Sequence, residues 1–218
     1  MPNRIAAFTV LLLTLCSYST SALARTIQIP SDIDKHWAAS QIRTAINQGL
    51  MTDMGNGRFQ PNQPLTRAQL AVSLARLFQL DYGNIRFIKA PSVRDYYDDV
   101  TPDKWYSGAI IMCAINGVLP GAERKFRPND PVTRLEAARA IAACFAAKNL
   151  NPAPLSDLKK YRDTSRLSAT EKADIDFVTE AGIICGSDGD FRPQGQLTRA
   201  ETAVLLINTN RAKQSCYS

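Results

Sequence analysis

Residues 57–69 read Gly-Arg-Phe-Gln-Pro-Asn-Gln-Pro-Leu-Thr-Arg-Ala-Gln, residues 124–136 read Arg-Lys-Phe-Arg-Pro-Asn-Asp-Pro-Val-Thr-Arg-Leu-Glu, and residues 189–201 read Gly-Asp-Phe-Arg-Pro-Gln-Gly-Gln-Leu-Thr-Arg-Ala-Glu. Phe, Pro, an aliphatic residue, Thr and Arg recur in one register, so the chain is an internal repeat of three units. The motif arginines Arg67, Arg134 and Arg199 lie 67 and 65 residues apart, and Gly49, Gly117 and Gly182 recur upstream at nearly the same intervals. Unit one is bounded at 31–80, unit two at 95–148 and unit three at 159–210, with connectors at Asp81 to Arg94 and Lys148 to Lys159, the latter carrying Asn-Pro-Ala-Pro.

Each unit reads as helix, loop, helix. Trp37, Ile42, Ala45 and Ile46 share one helical face in unit one, as do Trp105, Ala109, Cys113 and Ala114 in unit two and Ile175, Val178 and Ala181 in unit three. Ser168 followed by Glu171 has capping-box spacing. Each first helix is expected to stop at its glycine, where the chain enters a left-handed conformation. The second helices begin at the Thr-Arg motif, with apolar faces such as Leu70, Leu74, Leu77 and Phe78. Two amphipathic helices bury too little to stand alone, so the three units are expected to share one core, making residues 25–218 one all-α domain.

Thr66, Thr133 and Thr198 precede helices, and Gln69, Glu136 and Glu201 follow three residues later, which is the spacing of the reciprocal capping box. That pattern is structural. The arginine between them is not: a cation at a helix N-terminus opposes the macrodipole, yet all three units place one there. A guanidinium beside free helix-terminal amides is suited to a carboxylate. Two partners are therefore open to each arginine, an external anion or an Asp of a neighbouring unit, such as Asp32, Asp99 or Asp163.

The composition narrows the class of function. Of 218 residues 45% are hydrophobic and 21% charged, as in ordinary globular proteins. Twenty-six Lys plus Arg stand against 20 Asp plus Glu without a concentrated basic stripe, so nucleic acid is not an expected partner. Arg4, the apolar run from Ala6 to Cys16, and Ala22-Leu23-Ala24 form a signal peptide over residues 1–24, so the chain is expected to be exported. Cys16 follows Leu15, which is unsuited to a lipid-modification box. Beyond residue 24 no apolar run reaches the roughly 20 residues of a membrane span.

Four cysteines remain, Cys113, Cys144, Cys185 and Cys216; in an oxidising compartment an even number points to disulfides, and pairing within units is the favoured arrangement. With no CxxC pair and a single His, His36, neither a metal nor a cofactor is expected. One His, scattered carboxylates and no nucleophile motif do not form a catalytic constellation, so no enzyme activity is expected.

The repeat resembles the S-layer homology family. Unit two carries the resemblance on Tyr97, Asp99, Trp105, Gly117-Val118-Leu119, Gly121, Phe126, Pro128 and Thr133-Arg134; unit three on Tyr161, Asp163, Gly182-Ile183-Ile184, Gly186, Phe191, Pro193 and Thr198 to Glu201; unit one on Asp32, Trp37, Gly49-Leu50-Met51, Phe59, Pro61 and Thr66 to Gln69. The resemblance implies a pseudo-threefold bundle, monomeric, whose grooves hold acidic, often pyruvylated, cell-wall polysaccharide or a peptidoglycan-linked polymer, anchoring the chain non-covalently to the cell envelope. Arg67, Arg134 and Arg199 would meet the carboxylate, with Trp37, Trp105, Asp99, Gly121 and Gly186 as further groove residues. The two tryptophans have an alternative place, since their helical period puts them with the core. The competing reading is a periplasmic protein-interaction module that keeps the fold without glycan binding. Unit three has Thr170 where Trp falls in the others, Gln69 replaces Glu in unit one, Leu135 replaces Ala in unit two, and the loop from Gly49 to Phe59 is one residue longer than its counterparts. Unit three's groove is therefore expected to lack an aromatic wall, and unit two's ranks first.

Overall fold

The computed structural model describes residues 28–83, 85–155 and 160–217. The expected signal peptide, with Cys16, lies outside the described residues. The described residues form six α-helices: α1 (Ala39–Asn47), α2 (Arg67–Phe78), α3 (Ser107–Ile115), α4 (Arg134–Ala147), α5 (Ala169–Glu180) and α6 (Arg199–Gln214). Among the described residues extended pairing is limited to isolated bridges, so the class is all-α as expected.

The helix ends follow from local sequence. Gly49, Gly117 and Gly182 sit at φ near +65°, and in each case two hydrogen bonds close the terminus. Gly49 N donates to Ile46 O and Leu50 N to Ala45 O; Gly117 and Val118, then Gly182 and Ile183, repeat both bonds. This is the Schellman arrangement, and the aliphatic residue after each glycine is buried beneath it. At the other end, all three second helices carry the reciprocal capping box read from the sequence, on Thr66 with Gln69, Thr133 with Glu136 and Thr198 with Glu201. Ser168 and Glu171 cap α5 in the same way.

The first helices begin later than expected. α1 starts at Ala39 and α3 at Ser107, two residues beyond Trp37 and Trp105. Ala38 takes the inward position ahead of α1, and both indoles are left outside, 68% and 66% exposed. The core placement of these tryptophans is thus overturned, because the helical period does not extend to residues that precede the helix.

Units are joined by exchange. Each first helix packs on the second helix of the preceding unit: α3 on α2, α5 on α4, and α1 on α6, which closes the set from end to end. α2 also touches α4 and α6. At the centre, Leu65 N donates to Leu197 O (2.8 Å), Leu197 N to Val132 O (3.1 Å) and Val132 N to Leu65 O (2.9 Å), a closed ring of three loops. Those three side chains and Phe59, Phe126 and Phe191 are buried in one apolar cluster. Burial of each contributes about 1.5–3 kcal/mol.

The expected disulfides are absent: Cys113, Cys144, Cys185 and Cys216 are all free thiols. α3 lies on α2, and the Cys113 thiol donates to Ala71 O at 3.7 Å. Burial raises the thiol pKa of Cys113 to about 12 and that of Cys144 well above its ordinary value.

Candidate functional site

Each motif arginine leaves the first position of a second helix and enters the loop of another unit. Arg67 Nε donates to Phe126 O (2.8 Å) and Nη2 to Pro120 O (3.0 Å). Arg134 binds Phe191 O (2.7 Å) and Cys185 O (3.0 Å), and Arg199 binds Phe59 O (2.7 Å) and Thr52 O (2.6 Å). Each guanidinium also lies over the phenylalanine ring of the same loop, at 5.0, 5.1 and 4.3 Å from its centroid. Such cation–π contacts gain strength when desolvated.

Two sequence expectations are corrected here. The helix-terminal amides are not free. Arg67 N and Ala68 N donate to Asp130 O and Pro128 O, and the corresponding amides of α4 and α6 reach Gly195 and Pro193, then Gln63 and Pro61. Nor do the arginines pair with Asp32, Asp99 or Asp163. The two oxygens of Asp99 accept the amides of Phe126 and Arg127, those of Asp32 the amides of Phe59 and Gln60, and those of Asp163 the amides of Phe191 and Arg192. Asp99 therefore shapes the loop at Phe126 and Arg127.

Gly121 and Gly186 serve close packing. A Cβ on Gly121 would stand 2.3 Å from Lys125 O and 2.6 Å from the Tyr97 ring, and one on Gly186 would meet Asp190 O and Tyr161 as closely. The amide of each glycine donates to the phenol above it, at 3.3 and 3.0 Å. Unit one lacks both partners, carrying Pro30 and Asp53 at the matching positions. That paired loss is a signal in the sequence for the Tyr–Gly contact, and reading the motif residue by residue misses it.

Of the clefts that open beside the arginines, three draw on all three units. The unit-one cleft, about 380 Å³, joins Arg199 to the loop at Thr52–Gly55, to Gln69 of α2 and to Trp105. The unit-three cleft, about 260 Å³, joins Arg134 to Ile183–Cys185, to Glu201 of α6 and to Trp37. The unit-two cleft, about 700 Å³, joins Arg67 to Gly121, Glu136 and a row of alanines on α4, and is walled by Asp174 and Phe177 of α5. Thr170 belongs to the helix that flanks this last cleft. The missing tryptophan therefore leaves the unit-two cleft without an indole, its aromatic lining coming from Phe145 and Phe177, while unit three's own cleft keeps Trp37.

Charge separates the clefts further. Arg67, only 2% exposed, is paired with Glu136 at 2.5 Å. Arg134 and Arg199 make no ion pair among the described residues; for Arg199 the residue in the place of Glu136 is Gln69. Burial pulls the pKa of all three guanidinium groups downward, opposed at Arg67 by the Glu136 charge, and that of Arg199 falls to about 10. His36 accepts the Ala38 amide on Nδ1 and meets Asn62 Oδ1 through Nε2, serving the turn ahead of α1. Among the described residues no His, Cys, Asp or Glu cluster could hold a metal, and no helix is long and apolar enough to cross a membrane.

Helix-loop-helix units with a capped Thr-Arg helix start and an interlocking arginine define a class. The model of the S-layer homology domain matches residues 31–71, 96–138 and 160–203, and the chain belongs to that family. S-layer homology domains are anchoring modules, not catalytic ones. The chain is similar to an amylopullulanase of Thermoanaerobacterium thermosulfurigenes, 28% identical over 81% of the chain and 9% of that protein. It is also similar to the surface-layer 125 kDa protein of Lysinibacillus sphaericus, 26% identical over 79% of the chain and 14% of the relative. The S-layer protein sap of Bacillus anthracis is 27% identical over 84% of the chain and 21% of its own length. The chain thus spans a small fraction of these relatives.

Proposed function

We propose that this chain is a cell-envelope anchoring module whose clefts hold an acidic wall polymer, a pyruvylated polysaccharide or a peptidoglycan-linked polymer, through guanidinium and indole together. One observation carries the reading. In the unit-one and unit-three clefts an exposed tryptophan stands at the mouth and a motif arginine without an ion-pair partner at the floor. An indole face suits the apolar side of a pyranose, and an unpaired, partly desolvated guanidinium suits its carboxylate. The chain would act as a monomer, exported behind residues 1–24, with several weak clefts engaging one repeating polymer and raising its residence through effective concentration.

The test is cosedimentation with wall sacculi, with and without their acidic polymer. The arginines also hold the loops, so Trp37→Ala with Trp105→Ala is the cleaner variant. The expected result is binding that disappears with the acidic polymer and weakens at least tenfold in the double variant. Equal binding to stripped sacculi would refute the reading. The second reading, a protein-interaction module, draws support from the unit-two cleft, where Arg67 is neutralised internally and six alanines and two phenylalanines stand among the lining residues beside Arg127, Arg139 and Asp174.

A further inference from the structure

The third residue of each second helix does more than cap. In unit two, one oxygen of Glu136 accepts the Thr133 amide at 2.9 Å, and the other, Oε1, accepts Arg67 Nη1. A carboxylate of the chain itself thereby occupies the guanidinium edge that a ligand acid would need. In unit one Gln69 makes the same cap bond, Oε1 accepting Thr66 N at 3.2 Å, but its remaining head atom is a donor, Nε2, 3.5 Å from Met54 Sδ. Arg199 in that cleft is held through Nε and Nη2, and its Nη1 meets no acceptor among the described residues. Oxygen in one cleft is thus replaced by N–H in the other. The unit-one cleft presents two donor groups, Arg199 Nη1 and Gln69 Nε2, and a buried cation that makes no ion pair among the described residues, with Asp32 and Asp53 acting on it only from beyond ion-pair distance.

Resting on the reading of the clefts as carboxylate receptors, we propose that this position selects which clefts accept an acid: Gln69 opens the unit-one cleft, and Glu136 closes the unit-two cleft by acting as its built-in occupant. Unit three stands between. Glu201 Oε2 accepts Thr198 N and Oγ1, both at 2.8 Å, and its carboxylate lies beyond ion-pair distance of Arg134. A ligand acid entering the unit-two cleft must displace Glu136 or share Arg67 with it, and a second carboxylate there meets like charge, since the cleft's other cations, Arg127 and Arg139, already stand 3.8 Å from Glu136 and from Asp174. The exposed Trp105 indole belongs to the open cleft, and the closed one has only Phe145 and Phe177, so both features favour the same cleft.

The exchanges Gln69→Glu and Glu136→Gln test this, because each installs a residue that already caps an equivalent helix of this chain. The probe is the methyl glycoside of a pyruvyl-ketal hexosamine, with its methyl ester as neutral control, titrated calorimetrically into the intact protein. Expected are a tightest site that weakens at least tenfold in Gln69→Glu and an additional acid-selective site in Glu136→Gln, with melting temperatures held. Probe binding that is indifferent to both exchanges overturns the selection while leaving the wall-polymer reading intact. Absence of acid-selective binding in the parent and in both variants overturns both.

Discussion

A guanidinium taken out of water must find acceptors for its N–H groups, and the three motif arginines find them in backbone carbonyls of another unit. Lysine can supply the charge but not the fork that holds two carbonyls while lying over a ring. Arg134→Lys is therefore expected to cost about 2 kcal/mol of stability in urea unfolding, and Arg67→Ala about 3 kcal/mol, because it also strands Glu136. Arg199, with its pKa lowered to about 10, stays charged through pH 9. Folded and unfolded states then hold the same proton, and the cost of burying the cation is constant; above pH 10 the folded state discharges first and stability gains. Carboxylate binding in the unit-one cleft should accordingly be level from pH 6 to 9 and weaken above 10, as calorimetry across that range would record. The thiols divide by burial. Native protein should react with a thiol reagent rapidly at Cys185 and not at Cys113 or Cys144, which require denaturant.

Helix starts and stops were legible in the sequence wherever a side chain bonds its own backbone. The Thr-x-x-Glu/Gln caps and the left-handed glycines act within a few residues, so spacing alone locates them. The tryptophans were not legible in this way. Their period matched the apolar face, but the helices begin two residues later, and only the docking of α1 on α6 and of α3 on α2 sets where they begin. The same distinction between local and packed positions governs two glycines. Gly108 on α3 has open space around it and ordinary helical φ, so Gly108→Ala should stabilise by about 0.5 kcal/mol. Gly121→Ala should instead destabilise by more than about 2 kcal/mol, since the new methyl meets a backbone carbonyl that cannot swing away. Thr133→Ala, which removes only a cap, falls between at about 1 kcal/mol. Thermal melts of the three variants should give that order, and a tolerated Gly121→Ala would contradict the packing at Tyr97.

At the scale of the molecule, repetition in the sequence revealed three copies but not which copies build a given cleft. Arg199 and Phe59 are 140 residues apart and bonded at 2.7 Å, a contact that no spacing within one unit announces. Spacing within one unit therefore places Thr170 in the wrong cleft: the unit-one and unit-three grooves take their arginine from one neighbour and their indole from the other. The closure has an energetic consequence. α1 buries Ile42, Ala45 and Ile46, and its packing partner is α6 at the far end of the chain; Leu65 in the first unit donates to Leu197 in the last. Unit one cannot keep its core if unit three opens, so the three units should unfold together and not in sequence. Trp37 and Trp105 lie in different units, and the variants Trp37→Phe and Trp105→Phe each leave a single indole to report on one of them. Both proteins should melt in one transition for each probe, with fluorescence and helical signal coincident. Removing residues 199–218 should abolish the cooperative transition throughout, including the signal of Trp37, 162 residues before Arg199. A truncated chain whose first unit still melts cooperatively would show that the ring is not what holds the fold.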